Sequence, residues 1–324
     1  MARIFLVTPA AAGSRNGNLH TAGRWSRMLR DAGHRVSVGL EWTGQRADML
    51  LALHARRSHA SVARWREARG PAPMAVTLTG TDLYRDLPDC PLSQASLRLA
   101  DRVIVLQDAA PRRLDRSVRA KTRVVYQSSD ARLPRSAPRG VLRVLVLGHL
   151  REEKDPLRAV QALSLLPGRD DIELVQVGAA LAPSWDRQAR DWMRREPRYR
   201  WLGTLPHGRA LKWLASSHLL VVSSTMEGGA NVISEAARLR TPVIASRMDG
   251  NLGMLGRGYP GYFPVGDAAA LARLLRRAAD ERGFLGRLGK ALAARRARMS
   301  PAAERRALLA VVTETLAIPG ASTD

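Results

Sequence analysis

Two glutamates eight residues apart, Glu227 and Glu235, lie in the stretch of the chain best suited to chemistry. An apolar run at 219–222 precedes them, and Gly228-Gly229 separates Glu227 from a helix predicted to begin near Ala230. A helix start leaves backbone N–H groups unpaired and glycine allows close approach, so this loop is suited to hold a diphosphate. Glu235, about one and a half turns into the helix, is then placed to face a ribose.

The setting of this loop favours a nucleotide-sugar site over the alternative, a pair of glutamates on a solvated helix. A second apolar run, 242–245, follows after one helix length. In such strand–helix–strand units, ligands bind outside the carboxyl ends of parallel strands. The residues assigned to donor binding are Gly148, Gly178, Gly228, Gly229, Ala230, Asn231, Val232 and Glu235.

A charged loop at 148–156 follows the first predicted strand of the second half. Asp155 and Pro156 are typical of the cap and first residue of a helix, so Lys154 is expected beside a helix start, where a cation can face phosphate oxygens. A solvated charged loop is the alternative. No metal-binding constellation stands out in the sequence. We therefore assign the charge on a departing diphosphate to Lys154, arginine and helix N-termini rather than to Mg²⁺.

Polar segments follow the predicted strands of the first half, and in a doubly wound sheet they would converge on one crevice. Together they predict a small pocket for a compact anion, because the arginine fork binds phosphate-type oxygens two at a time. Taken singly, His54 could be a core histidine, and Thr81-Asp82 could cap a turn. The residues assigned to acceptor binding are Asn16, Gly17, Asn18, His54, Arg56, Arg57, Thr79, Thr81, Asp82 and Gln127.

Strand and helix patterns alternate along the whole chain, which predicts parallel sheets covered by helices. A length of 324 residues suits two domains of about 150. A polar stretch with two prolines at 129–140 is the predicted linker. We expect a first domain at 1–137, a second at 138–300 and a C-terminal helix and tail at 301–324. Strands are predicted at 4–7, 36–38, 49–53, 74–78, 103–106, 124–126, 142–147, 172–177, 201–202, 219–222 and 243–245.

The composition narrows the class of partner. A net charge of +23 indicates an anionic partner, but the basic residues are almost all arginine and are spread along the chain. Genome base composition explains that skew better than a nucleic-acid-binding patch, and a preference for anionic substrates remains. The single cysteine, Cys90, excludes an intramolecular disulfide and a multi-cysteine zinc site. No signal peptide or membrane-length run is present, so we expect a cytoplasmic protein without a membrane partner.

The pair Glu227 and Glu235 with its double glycine resembles the donor motif of the retaining family 4 glycosyltransferases. The resemblance implies an α/β fold of GT-B architecture, with two Rossmann-like doubly wound domains facing a cleft and a C-terminal helix crossing back to the first. It implies that Glu235 grips the nucleotide ribose and that Glu227 lies by the donor sugar. The loop at 148–154 is similar to the family's Gly-Arg-Leu-x-x-x-Lys stretch, with His149 at the arginine position. The residues this assigns to catalysis are Lys154, Glu227, Arg151 and His149, with His149 or Arg151 supplying the arginine's charge.

Segments 16–18, 52–58, 78–86 and 227–235 are similar to one branch of that family, the selenosugar synthases of selenoneine biosynthesis. That resemblance implies a UDP-sugar, UDP-N-acetylglucosamine or UDP-glucose, that reacts with selenophosphate. A C–Se bond forms, and UDP and phosphate are released without a further cofactor. It also implies functional coupling to a selenophosphate synthetase and a selenoneine synthase. Many members carry a histidine where this chain has Thr79, and an anionic selenium nucleophile has less need of a general base.

Two alternatives stay open at the level of sequence. One is a retaining glycosyltransferase with another small anionic acceptor. The other is a non-catalytic nucleotide- or nucleic-acid-binding protein. The presence of Glu227, Glu235 and Lys154, and the lack of aromatic residues interleaved with basic ones, favour an enzyme that binds no nucleic acid.

Overall fold

The computed structural model describes residues 1–9 and 17–318, and it contains two compact α/β units. The first unit is Met1–Gln127 together with the segment from Pro301, and the second is Ser128–Ser300. The division therefore falls before the predicted boundary at residue 137, and the C-terminal helix groups with the first unit. In the described part of the chain, no helix is both long and apolar enough to cross a membrane.

The described residues contain twelve strands and twelve α-helices, with short turns of helix at Asp82–Asp86, Ala110–Arg113 and Glu152–Lys154. The strands are β1 (Arg3–Val7), β2 (Arg35–Gly39), β3 (Met49–Leu53), β4 (Met74–Thr77), β5 (Arg102–Val105), β6 (Thr122–Val124), β7 (Leu142–Leu147), β8 (Ile172–Val177), β9 (Tyr199–Trp201), β10 (Leu219–Val222), β11 (Val243–Ser246) and β12 (Tyr262–Phe263). The helices are α1 (Gly17–Arg30), α2 (His59–Arg69), α3 (Pro91–Leu99), α4 (Arg116–Ala120), α5 (Arg158–Ser164), α6 (Pro183–Arg195), α7 (His207–Ala215), α8 (Asn231–Leu239), α9 (Asp249–Leu255), α10 (Ala268–Asp280), α11 (Phe284–Arg295) and α12 (Pro301–Leu316).

The first unit is built on a parallel sheet of order β2-β1-β3-β4-β5-β6. Every residue of β3 is buried, as expected of a central strand covered on both faces. Helix α1 packs Trp25, Met28 and Leu29 into the core, as predicted from their spacing. The strand order reverses between β1 and β3, which places the ligand-binding edge of such a sheet beside the carboxyl end of β3.

The second unit has the strand order β12-β11-β10-β7-β8-β9, also parallel throughout. This is the order of the dinucleotide-binding fold, and it reverses between β7 and β10. Each predicted strand overlaps an observed one, and the predicted class of two Rossmann-like parallel sheets is confirmed. Strand β12 is missing from the prediction because two residues are too few to show a periodic pattern.

Helix α12 completes the core of the first unit. Leu308, Val311 and Val312 pack among the buried residues of β1 and α1. Glu304, fully buried, accepts hydrogen bonds from Trp25 Nε1 at 2.7 Å and from Arg24 Nε at 2.8 Å. A buried carboxylate is costly unless paired and hydrogen-bonded, so these two contacts allow Glu304 to stay inside the unit.

Candidate functional site

The most chemically organised region of the second unit lies at the strand-order reversal between β7 and β10. Gly148 and His149 follow β7, while Ser223 and Ser224 follow β10. These residues line a small pocket of about 20 Å³ together with Val146, Leu147, Lys154, Pro156, Gln176, Val221, Val222 and Val232. The structure therefore brings the two loops predicted to bind a diphosphate to one edge of one sheet.

Lys154 and Glu227 form an ion pair at this pocket, from Nζ to Oε1. Ser224 Oγ donates a second hydrogen bond to the same carboxylate oxygen at 2.6 Å, and Glu227 is only 7% exposed. A lysine ammonium has three N–H groups, so the pairing with Glu227 leaves others for a phosphate oxygen. The arrangement holds a positive charge at a fixed point beside a buried carboxylate.

Hydrogen bonds to main-chain carbonyl groups connect the loop that carries Lys154 to the loop after β10. Ser223 Oγ donates to the carbonyl oxygens of Lys154 and Asp155 at 3.0 and 2.9 Å. The Thr225 N–H donates to the Glu153 carbonyl at 2.9 Å. The position of Lys154 therefore depends on both strands and not on its own loop alone.

The predicted helix start at Asp155 and Pro156 is wrong. Lys154 ends a short 3₁₀ turn, Asp155 is left-handed at φ +42°, and α5 begins only at Arg158. The Asp155 carboxylate accepts from Arg158 Nε at 2.8 Å instead of capping backbone N–H groups. Lys154 thus lies ahead of the helix rather than at its first turn.

Two glycines press against the backbone of this site. A Cβ built on Gly178 would lie 1.9 Å from the carbonyl oxygen of Gly148, and one on Gly250 would lie 2.0 Å from that of Glu227. Neither position tolerates a side chain without movement of the site backbone. Sequence reasoning named Gly178 for donor binding and missed Gly250, which is an ordinary helix position in α9 and carries no turn signal.

Helix α8 begins at Asn231, with Ala230 at its cap and Gly228-Gly229 in the loop before it, as predicted. Glu235 lies in the second turn, where its Oε1 accepts from His207 Nε2 at 2.9 Å. This hydrogen bond raises the pKa of His207 above its usual value, and burial partly opposes it. Sequence reasoning missed His207, because the two residues are brought together only by the packing of α7 against α8.

His149 and Arg151 occupy different places. His149 lines the pocket, where its Nδ1 accepts from the Ala179 N–H at 3.1 Å. Arg151 is partly exposed and lies 3.8 Å from Glu153, outside the pocket lining. Of the two candidates for the family's arginine position, His149 is therefore the one that lines the pocket with Lys154.

In the first unit, four assigned residues form a cluster at the ends of β3 and β4. His54 is buried with φ +75°, an uncommon backbone conformation of the kind that collects at functional sites. Its Nε2 lies 3.2 Å from Thr81 Oγ1. Asp82 accepts from the Thr79 hydroxyl and from the Ala55 N–H, both at 2.8 Å, and so joins the two strand ends. Burial lowers the pKa of His54, which favours the neutral imidazole.

The remaining acceptor assignments are dispersed. Arg56 Nε faces Asp86 Oδ2 at 2.9 Å, whereas the Arg57 side chain is exposed and has no ion pair among the described residues. Gly17 and Asn18 form the first turn of α1, and Asn16 lies outside the described residues. Gln127 is buried and donates to Thr21 Oγ1 of α1 at 2.5 Å.

No group of three or more His, Cys, Asp or Glu within residues 1–9 and 17–318 is arranged to hold a metal ion. At the second-unit site, Lys154 and His149 line the pocket together with Val232 from the first turn of α8, whose N-terminus favours an anion.

Comparison with known proteins agrees with this architecture. The family model described as glycosyl transferases group 1 matches residues 130–305, more than half of the chain. Sucrose-phosphate synthase from Thermosynechococcus elongatus superposes with a TM-score of 0.80 at 18% identity, over 98% of this chain and 100% of that one. HepE from Anabaena in complex with UDP-glucose superposes with a TM-score of 0.77 at 17% identity, over 97% of this chain and 100% of that one. A glycosyltransferase from Rickettsia africae superposes with a TM-score of 0.72 at 14% identity, over 98% of this chain and 99% of that one.

These likenesses are too distant in sequence to show more than a shared fold. The family model, which spans the pocket, the Lys154–Glu227 pair and helix α8, shows the family itself. The chain therefore belongs to the group 1 family of glycosyl transferases and has its GT-B fold.

Proposed function

We propose that the protein is a selenosugar synthase, a glycosyltransferase that joins selenophosphate to the anomeric carbon of a UDP-sugar. The Lys154–Glu227 pair at the carboxyl ends of β7 and β10 carries the glycosyl-transfer part of the proposal. The selenophosphate part rests on the resemblance of segments 16–18, 52–58, 78–86 and 227–235 to the selenosugar synthases. The structure of HepE with UDP-glucose supports a UDP-sugar as donor, because that protein shares the fold over 97% of this chain. UDP-N-acetylglucosamine and UDP-glucose are both candidate donors.

In this proposal the second unit binds the donor. The diphosphate lies against the glycine loop 228–229 and the N-terminus of α8, where the helix dipole and backbone N–H groups favour an anion. Lys154 faces the oxygen that gains charge as the anomeric bond breaks. Glu227 lies beside the sugar, and Glu235 accepts hydrogen bonds from the ribose hydroxyls.

The first unit binds the acceptor in this proposal. Selenophosphate is already an anion with a nucleophilic selenium, so its site has to bind charge and has little need to remove a proton. His54 is buried, and burial favours its neutral form, so the binding of charge falls to arginine rather than to this imidazole. Arg57, exposed and without an ion pair among the described residues, is the arginine best able to hold the phosphate group.

The proposed reaction balances in two steps. Selenium attacks the anomeric carbon, a C–Se bond forms, and the anomeric C–O bond breaks so that UDP leaves with the electron pair. Water then attacks phosphorus and the P–Se bond breaks. Phosphate is released, and a selenol remains on the sugar.

The experiment that tests the proposal is incubation of the purified protein with each UDP-sugar and selenophosphate. UDP release and a selenium-bearing sugar in the mass spectrum, absent without protein, are the expected result. Turnover only with orthophosphate, thiophosphate or a sugar phosphate would instead favour the alternative of another small anionic acceptor. Binding of UDP-sugar without turnover of any acceptor would favour the non-catalytic nucleotide-binding protein.

Glu235→Ala is expected to weaken UDP binding by about 1.5–3 kcal/mol, because it removes charge-assisted hydrogen bonds to the ribose. Isothermal calorimetry measures the change. Glu281→Ala is the matched control, since it removes a carboxylate paired with Arg277 at the surface of the same unit and should leave the affinity unchanged. If Glu235→Ala bound UDP as tightly as the wild type, the ribose assignment would be wrong.

Arg57→Ala is expected to raise the KM for selenophosphate about tenfold or more, the loss of a charged hydrogen-bonding partner. UDP affinity should stay unchanged, because Arg57 belongs to the first unit and the UDP site is assigned to the second. Arg56→Ala should have the smaller effect, since Arg56 already faces Asp86. Arg98→Ala, at an exposed position on α3, is the control. Wild-type use of limiting selenophosphate by both Arg56 and Arg57 variants would place the acceptor elsewhere.

A further inference from the structure

The contact between His207 and Glu235 joins the first residue of α7 to the second turn of α8. His207 Nε2 lies 2.9 Å from Glu235 Oε1, within hydrogen-bond distance. The Glu235 side chain is 14% exposed and that of His207 is 57% exposed, so the carboxylate is the inner partner and the imidazole the outer one. The imidazole thus holds the carboxylate from the solvent side.

Only one oxygen of the Glu235 carboxylate is used in this contact. Oε1 accepts from the imidazole, and Oε2 has no hydrogen-bond partner among the described residues. A glutamate side chain loses considerable rotamer freedom when a ligand fixes it, and a partner that fixes it beforehand removes that cost from binding. The contact with His207 therefore restricts the orientations that Oε2 can take.

We propose that His207 is a positioning residue for the donor nucleotide, holding Oε1 of Glu235 so that Oε2 accepts hydrogen bonds from the ribose hydroxyls. The inference rests on the proposed function, because it takes Glu235 to be the ribose-binding residue. It adds His207, which lies outside the motif of paired glutamates, to the residues of the donor site.

The charges around His207 give this role a pH dependence. Glu235 on α8 and Asp130, in the segment before β7, both favour the protonated imidazole, while burial opposes it. The other charged residues in these elements include Arg132 in the segment before β7, Arg209 and Lys212 on α7, and Arg238 on α8. A protonated His207 offsets the two carboxylates beside an anionic donor. Its charge is present below the raised pKa and is lost as the pH rises through that pKa, so donor affinity should fall in the same direction.

The test compares wild type, His207→Ala and His207→Gln by calorimetry with UDP-glucose between about pH 5.5 and 8.5, the range in which histidine titrates. UDP-glucose is the probe because its diphosphate is esterified at both ends and has no proton to lose in this range. The wild type should bind more weakly as the pH rises and should take up protons on binding. His207→Ala should bind about three- to tenfold more weakly at the acidic end and show no pH dependence.

His207→Gln separates positioning from charge. A glutamine amide can still donate to Glu235 but cannot titrate, so this variant should recover most of the affinity and remain independent of pH. If His207→Ala matched the wild type in affinity, pH slope and proton uptake while Glu235→Ala bound weakly, the inference about His207 would be overturned and the donor site would stand. If Glu235→Ala bound UDP-glucose as tightly as the wild type, the assignment of Glu235 to the ribose would be wrong, and the role of His207 would fail with it.

Discussion

Lys154→Ala is expected to lower kcat by about 10²- to 10³-fold, the usual consequence of removing one group that stabilises charge in a transition state. The contact with Glu227 fixes the position of the lysine ammonium. Negative charge on the diphosphate grows as the anomeric bond breaks, and the ammonium therefore stabilises the transition state more than the bound donor. UDP affinity, measured by calorimetry, should change much less than turnover.

The buried partner of Lys154 requires a control for stability. Removal of one member of a buried ion pair costs about 3–5 kcal/mol, because the other charge stays buried without a counterion. The double variant Lys154→Met with Glu227→Gln removes both charges and should recover stability in denaturant unfolding without recovering kcat. A Lys154→Ala protein with a raised KM and an unchanged kcat would show that the lysine only docks the donor.

Gly250→Ala is expected to impair both folding stability and turnover. The new methyl group would lie 2.0 Å from the Glu227 carbonyl oxygen and 2.8 Å from its carbonyl carbon. The main chain at Glu227 or at Gly250 therefore has to move. Overpacking of this kind costs about 1–3 kcal/mol. A displacement of about 1 Å at a positioned group can lower kcat by about 10²-fold. Urea unfolding and steady-state kinetics measure the two effects.

Gly289→Ala is the matched control for Gly250→Ala. Gly289 lies inside α11, and nothing is within 4 Å of a Cβ built there. Alanine is the better helix former, so this substitution should stabilise the protein by about 0.5–1 kcal/mol and leave kcat unchanged. Wild-type kinetics and stability in Gly250→Ala would mean that the loop of Glu227 adapts and that Gly250 does not support the site.

The strands could be predicted from sequence because most are short apolar runs bounded by polar residues or glycine. Met49–Leu53 and Leu142–Leu147 are buried along most of their length, and such runs need no knowledge of their partners to be recognised. The start of α5 could not be predicted in this way. Asp155 and Pro156 have the local chemistry of a helix start, but Asp155 is left-handed and contacts Arg158 and Ser223 instead.

The candidate site could be predicted only where a motif is local. Glu227 and Glu235 share one loop and helix, whereas Lys154 and Glu227 are 73 residues apart and meet because β7 and β10 are neighbours. The partnership of His207 with Glu235 likewise depends on how α7 packs against α8. Arg56 and Arg57 are adjacent in sequence, and only the structure distinguishes the one that faces Asp86 from the one that is exposed.

The buried Glu304 bears on the order in which the chain folds during synthesis. Its partners Arg24 and Trp25 are translated early, but α12 is translated only after the whole of Ser128–Ser300. At ordinary translation rates that interval lasts roughly 10–35 seconds, long enough for the contiguous second unit to fold on the ribosome. The first unit meanwhile exposes the apolar surface that Leu308, Val311 and Val312 later cover. The unit whose first residues are made earliest is thus completed last, once α12 has been made.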